Sequence, residues 1–319
     1  MKNRNLGKSG IQVSPLCFGG NVFGWTADEQ TSFKLLDAFT ETGFNFIDTA
    51  DIYSMWVPGN SGGESERIIG KWMKERNNRS KVIVATKVGG GQEAGKGLGG
   101  LKPDYIMRRV EESLKRLQTD YIDLYQSHVD DLDTPMEQTL QTYAQLIKQG
   151  KVRAIGASNY TAERLSASQA LSEKFGYPAY QCLQPLYNLC DRKEFETELA
   201  PYCLENKISV NNYYSLASGF LTGKYRSEAD LSQSPRGYRV KGYLTERGFR
   251  ILKALDEVSK HQNTTPAAVS LAWLLSRPAI TSPIVSATGV KQWKELVKAT
   301  ELVLEPASIE LLNEASEGE

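Results

Sequence analysis

Four side chains able to move protons stand where apolar runs of the sequence end. Asp48 and Tyr53 close the stretch Phe44 to Tyr53 (F-N-F-I-D-T-A-D-I-Y), Lys87 follows K-V-I-V-A-T, and His128 follows Y-I-D-L-Y-Q-S. An acid, a phenol, an amine and an imidazole at strand exits suit carbonyl chemistry. A hydride added to a carbonyl carbon leaves an alkoxide, so a proton donor must stand beside the oxygen. Tyr53 can be that donor, and an ammonium at Lys87 is expected to lower a phenol pKa whose free value is about 10. Asp48 would keep Lys87 charged and fixed, while His128 could hydrogen-bond the carbonyl oxygen and orient it. The hydride must come from a cofactor, because no side chain carries one. Alone, each residue has a plainer reading: a helix cap, a half-buried aromatic, a surface cation and a satisfied core histidine. Their convergence argues for a site.

The elements that must position them alternate. Val13 to Phe18 reads as a first strand with a Gly19-Gly20 exit, and Thr26 with Glu29 as a capping box opening a helix to about Thr42. After the Phe44 strand come a helix from Glu64 to Arg76, a strand from Lys81 to Thr86, a helix from Pro103 to Leu117 and a strand from Tyr121 to Gln126. Thr134-Pro135-x-Glu137 combines an N-cap, a first-turn proline and a capping glutamate for a helix reaching Gln149. Val152 to Ala157, Ala179 to Leu183 and Ile208 to Tyr213 continue the strands, with helices at Ala162 to Phe175 and Phe195 to Glu205 between them. An irregular run, Ala217 to Tyr243, precedes helices at Thr245 to His261 and Pro266 to Leu275. A last strand (Ile280 to Val285), a helix (Val290 to Thr300) and a short helix from Ser308 complete the chain. Eight strands alternating with helices, undivided by any linker, predict an α/β fold, a single (β/α)8 TIM barrel over residues 1–319. In such a barrel the strand exits share one face, which here gathers Asp48, Lys87, His128, Ser158-Asn159, Gln184, Tyr213 and Ser286.

Composition narrows the partners. Charge balances at 38 basic and 38 acidic residues, leaving no net field for nucleic acid or an anionic membrane. No apolar run approaches the roughly 20 residues of a membrane helix, and the polar stretch Met1 to Gly10 lacks a signal peptide's apolar segment, so a cytoplasmic address is expected. Cys17, Cys182, Cys190 and Cys203 form no C-x-x-C pair and are read as reduced and buried; with only His128 and His261 available, no metal site is expected. Gly90-x-x-x-x-Gly95-Lys96 imitates a P-loop and Gly95-x-Gly97-x-x-Gly100 a dinucleotide fingerprint, but neither has the strand–helix context these motifs require. A substrate-facing loop is the better reading.

The segments F-I-D-T-A-D-I-Y, V-I-V-A-T-K, I-D-L-Y-Q-S-H, I-G-A-S-N-Y and Q-P-L-Y-N resemble the aldo-keto reductases, and the likeness extends from about Ile11 to Leu304. The resemblance implies a (β/α)8 barrel that binds NADPH in extended form and reduces aldehydes and ketones. Its Asp, Tyr, Lys, His tetrad falls on Asp48, Tyr53, Lys87 and His128. It further implies that Ser158, Asn159 and Gln184 hold the nicotinamide carboxamide and that Tyr213 stacks on its ring. Leu216, Ser218, Gly219, Leu221, Gly223 and Lys224 belong to L-A-S-G-F-L-T-G-K-Y, which resembles the family's pyrophosphate loop, although Ser215 stands where relatives commonly have proline. Ser286, Ala287, Thr288, Lys291 and Gln292 correspond to the adenosine-phosphate end, with Gln292 where many relatives place arginine.

NADP(H) is expected in preference to NAD(H). Lys291 opens a helix at a strand exit, and no acid occupies Ser286 to Gln292 to hold a bare ribose. Trp25 and Trp56, on loops after the first two strands, are expected to line the substrate pocket. The anticipated partner is a small-molecule carbonyl, sugars included, acted on by a monomer or small homo-oligomer. Two other readings use the same residues: a Schiff-base aldolase with Lys87 as nucleophile, and a cofactor-sensing subunit like the potassium-channel β subunits that share the resemblance.

Overall fold

A computed structural model of the chain describes residues 2–91 and 100–318. A short antiparallel hairpin, β1 (Arg4–Asn5) and β2 (Gln12–Val13), comes first. The barrel strands are β3 (Cys17–Gly19), β4 (Phe46–Asp48), β5 (Ile83–Val88), β6 (Ile122–Ser127), β7 (Val152–Ser158), β8 (Cys182–Gln184), β9 (Ser209–Val210) and β10 (Ile284–Val285). They pair in parallel in the order β10-β3-β4-β5-β6-β7-β8-β9. Val210 also bridges Ile280, and Ile284 N donates to Asn212 O at 3.0 Å, so the last strand meets the ninth and the sheet closes into the expected (β/α)8 barrel. The helices used below are α1 (Glu29–Glu41), α2 (Glu64–Arg76), α3 (Pro103–Leu117), α4 (Met136–Lys148), α5 (Ala162–Phe175), α6 (Ala200–Asn206), α7 (Glu246–His261), α8 (Pro266–Leu275), α9 (Val290–Val297) and α10 (Pro306–Ala315).

The two-residue period of the strands decides which side chains reach the site. Phe46, Ala85, Leu124, Ala154 and Cys182 point inward and, with Cys17 and the hairpin's Leu6, Ile11 and Val13, plug the barrel interior. Their neighbours Ile47, Val84, Tyr125, Ile155 and Leu183 point outward into the apolar layer beneath the helices. One more step along each strand returns inward, and there the sequence changes from apolar to polar: Asp48, Lys87, Gln126 and Gln184. The plug therefore supports the polar layer from below.

Local departures from the expected elements have local causes. The expected first strand is split at Pro15: Val13 pairs with Arg4 in the hairpin and Cys17 starts the barrel, because proline supplies no ladder N–H. The cap of α1 is Asp28, which accepts from Thr31 N at 2.8 Å, not Thr26. Likewise α4 starts after Pro135 without a Thr134 side-chain cap; Asp131 accepts from Asp133 N (3.0 Å) and Thr134 N (3.2 Å) and shapes that turn instead. Phe195–Leu199 takes a π-helical pitch leading into α6, where Pro201 cannot donate. The glycine stretch from Gly95 to Gly97 lies outside the described residues. Among the described residues no helix is long and apolar enough to cross a membrane, and no group of His, Cys, Asp and Glu could hold a metal ion.

Candidate active site

Lys87 is fully buried, and its ammonium has three partners: Asp48 Oδ2 at 2.7 Å, Tyr53 Oη at 2.8 Å and the Thr49 carbonyl at 2.9 Å. Tyr53 Oη in turn donates to Asp48 Oδ2 at 3.2 Å. The other carboxylate oxygen accepts from Gln184 Nε2 at 2.9 Å and Gln126 Nε2 at 3.3 Å. A charge buried this deeply is tolerable only when paired and hydrogen-bonded, and Asp48 is both. His128 stands across the site, its ring 6.2 Å from that of Tyr53, and Nδ1 is buried without a partner. Room for that imidazole depends on Gly90, where a Cβ would lie 2.6 Å from His128 Nδ1.

The electrostatics correct one expectation. Burial first, and then the charge and hydrogen bond of Asp48, hold the Tyr53 phenol well above its ordinary value, so the net shift is upward despite the Lys87 ammonium at 2.8 Å. The ammonium's field at the phenol is offset by the carboxylate it contacts, and Tyr53 shares that same carboxylate oxygen. Tyr53 is therefore a fully protonated acid at neutral pH, and an alkoxide, a much stronger base than phenolate, can still take its proton. Burial, then the Lys87 ammonium, bring His128 down to about 3, so its imidazole is neutral. Below the tetrad, burial and then Asp48 push the Cys17 thiol well above its usual range, which leaves it inert as a nucleophile.

The remaining predicted residues ring this centre. Ser158 Oγ donates to the Gln184 carbonyl at 2.9 Å; Asn159, at φ 57°, donates to the His128 carbonyl at 2.9 Å and accepts from Tyr213 Oη at 2.9 Å. Leu216 and Leu221 are buried in the core, so any ligand contact there is through backbone. Ala217, Ser218 and Gly219 all have positive φ (47°, 57° and 100°), a sharp reversal that brings Gly219 close to the Lys224 stem, with Gly223 at φ 78° ending the loop. Ser215, in place of proline, secures this loop by donating to the Ile284 carbonyl at 2.7 Å. At the far end, Ser286 Oγ donates to the Gly19 carbonyl at 2.7 Å, and Gln292 Oε1 accepts from Thr288 N at 2.9 Å. Lys291 is exposed on the first turn of α9, whose N-cap, Gly289, offers no side-chain cap. Trp56 meets the Tyr53 ring edge-on at 6.1 Å, and Trp25 meets Trp56 edge-on at 5.5 Å, one ring further from the phenol.

Sequence reasoning missed three groups. Gln126 sits at the inward phase two residues after Leu124, a signal that strand alternation carried. Arg236 comes from the irregular run and had none: its guanidinium lies 5.0 Å over Trp25, and Nη2 meets Asn21 Oδ1 at 3.1 Å when the Asn21 amide donates to Ser286 Oγ. The Thr49 carbonyl on Lys87 is backbone, invisible to a reading of side chains.

The arrangement is that of a half-buried acid backed by a buried ion pair inside a barrel, and the match to the Aldo/keto reductase family covers residues 15–317. The chain belongs to the aldo/keto reductase family. It is similar to an uncharacterized oxidoreductase of Bacillus subtilis, 34% identical over 324 residues and covering 100% of this chain and 97% of that protein. It is also similar to norsolorinic acid reductase of Aspergillus flavus, 30% identical over 320 residues (96% of this chain, 79% of that protein). A third relative is a probable voltage-gated potassium channel subunit beta of Arabidopsis thaliana, 31% identical over 312 residues (95% and 92%). Membership supports a carbonyl-reducing oxidoreductase that uses a nicotinamide cofactor.

Proposed function

We propose that the chain, as one domain over residues 1–319, reduces aldehyde and ketone carbonyls of small molecules, sugars among them, with NADPH preferred to NADH. The observation that carries this reading is the placement of Tyr53 Oη between Lys87 Nζ at 2.8 Å and Asp48 Oδ2 at 3.2 Å, beside a neutral His128. Residues around the site fit the cofactor. The uncapped start of α9 beside an exposed Lys291 suits a phosphate, and the positive-φ loop at Ala217 to Gly219 next to Lys224 suits a diphosphate. Ser158, Asn159, Gln184 and Tyr213 would hold the nicotinamide end, and bound NADPH would supply the hydride.

The protein's own groups then perform the proton chemistry. Tyr53 gives its proton to the alkoxide oxygen, Lys87 stabilises the phenolate left behind from 2.8 Å, and Asp48 holds Lys87 in place. His128 and the two tryptophans orient the carbonyl against Tyr53. Gln184 donates to Asp48, so its part in holding carboxamide falls to its carbonyl oxygen. Gln292 bonds its own loop and brings no cation, which leaves Lys291 as the partner of the 2′-phosphate and makes the preference for NADPH modest.

The aldolase reading loses support because a Schiff-base lysine needs a free lone pair and access, whereas Lys87 is buried with three partners engaged. A cofactor-sensing role draws on one finding, the similarity to a protein named as a channel β subunit. Following cofactor absorbance with NADPH and NADH across aldehydes, ketones and sugars separates the two. Steady turnover supports reduction; tight cofactor binding without turnover supports sensing and overturns the enzyme reading.

A further inference from the structure

The loop that carries Tyr53 is held by a second buried ion pair that the tetrad chemistry does not use. Asp51 lies two residues before Tyr53, its side chain without solvent exposure, and its Oδ2 accepts from Arg109 Nε of α3 at 2.8 Å. Arg109 Nη2 also reaches the Asp51 carbonyl at 3.4 Å, and its Nη1 donates to Glu112 at 2.6 Å. The backbone is caught from the other side: Asp51 N donates to the carbonyl of Lys87 at 3.3 Å, and Tyr53 N closes a turn onto Ala50 O at 3.2 Å. Lys87 therefore grips this loop twice, by its carbonyl at Asp51 and by its ammonium at the Tyr53 phenol. A change of position at Asp51 is transmitted over one tight turn to the acid that must meet the substrate oxygen.

We propose that Asp51 and Arg109 form a positioning pair for Tyr53, and that protonation of Asp51 releases the clamp and lowers turnover on the acid side. The inference rests on the reduction reading for its catalytic consequence. Its structural basis is independent.

The surroundings of Asp51 make the pair responsive. Its Oδ1 is buried with no partner, and so is the Tyr125 hydroxyl of β6. The charged and titratable groups facing Asp51 are Arg109 and Arg116 of α3, Glu66 of α2, Tyr125 of β6 and Tyr143 of α4, while Glu112 and Tyr105 of α3 lie against Arg109. Burial, and after it the Glu66 carboxylate, outweigh Arg109 and Arg116 and lift Asp51 to about 6. Above that value the carboxylate is ionised and holds the guanidinium; below it the carboxyl is neutral and the clamp loosens. The catalytic acid and the histidine do not titrate there, since Tyr53 is held well above 10 and His128 lies at about 3.

The test uses the full chain with NADPH and an aldehyde it reduces, and the variants Asp51→Asn, Arg109→Met and Arg109→Lys. In the wild type, kcat is expected to fall as pH drops through about 6, while KM and cofactor Kd hold. In Asp51→Asn the acid limb is lost, and kcat is lower throughout by about tenfold to a hundredfold, the scale of a misplaced catalytic group. Arg109→Met should match it, and Arg109→Lys should restore most of the rate and the limb. A readout without turnover comes from Trp56, three residues after Tyr53 on the same loop. The part of the emission lost in Trp56→Phe should titrate near pH 6 in the wild type and not in Asp51→Asn. Wild-type kcat with an unchanged acid limb in Asp51→Asn, or a lowered melting temperature as its only effect, overturns the positioning role. If no carbonyl turns over in the wild type, the reduction reading fails, and the Trp56 titration still decides for or against the clamp.

Discussion

Replacing Lys87 by methionine keeps the stem and removes the ammonium from the centre of the site. The side chains of Lys87 and Asp48 are 0% and 2% exposed and 2.7 Å apart, so Lys87→Met leaves a carboxylate buried without its counter-ion. Removing one member of a buried pair costs about 3–5 kcal/mol. Asp48 would keep donors from Gln126, Gln184 and Tyr53, which places the expected loss near the lower end, about 3 kcal/mol. Out of a total stability of about 5–15 kcal/mol, such a loss is plain in urea unfolding as a lower midpoint at unchanged slope. Asp48→Asn should cost a comparable amount. The double variant should cost less than the sum by about 0.5–3 kcal/mol, because the second change removes a charge that the first had stranded. The two single variants should also move Tyr53 in opposite directions. Without Lys87 the phenol faces the Asp48 charge alone and its pKa rises further, while Asp48→Asn removes that charge and lowers it, read as phenolate absorbance against a Tyr53→Phe blank. Strict additivity, or a loss under about 1 kcal/mol for Lys87→Met, would refute the coupling.

Other expected outcomes concern the edges of the site. Lys291→Glu should weaken NADPH binding by about tenfold or more while NADH changes little, as dissociation constants for both cofactors would show; equal losses would sink the 2′-phosphate role. Trp56→Ala should raise KM for the better substrates, since Trp56 abuts Tyr53 at 6.1 Å; a changed melting temperature at constant KM would assign the ring to packing alone. Gly90→Ala should lower kcat by about tenfold at constant cofactor Kd, because the added Cβ would lie 2.6 Å from His128 Nδ1 and must displace the imidazole. A crystal structure of that variant with His128 unmoved would contradict it.

The barrel was legible because its strands are apolar runs ended by polar residues, and strand alternation carried Asp48, Lys87 and Gln184 inward together. Three helices marked by a starting proline or a following glycine, α3, α5 and α8, were legible to the residue, whereas α10 starts at Pro306, ahead of the expected Ser308. Capping was read less well, since Thr26 and Thr134 are plausible caps whose places were taken by Asp28 and an Asp131 turn, competing local carboxylates that the sequence offered within a few residues. The sign of the Tyr53 shift was not legible either. Knowing that an ammonium is near does not reveal that a carboxylate neutralises it and binds the same phenol; only distances do. Arg236 and the Asp51–Arg109 pair join segments far apart in sequence, where no periodicity points from one partner to the other.

Single-turnover measurement of cofactor oxidation with a carbonyl substrate, in wild type and Tyr53→Phe, tests the central assignment most directly. The variant keeps Lys87 on Asp48 and on the Thr49 carbonyl, so it should fold and bind NADPH as the wild type does. Its hydride-transfer rate should fall by about 100-fold to 10,000-fold, the contribution of a positioned general acid. A Tyr53→Phe protein that oxidises NADPH at the wild-type rate would show that the proton comes from elsewhere and contradict the account.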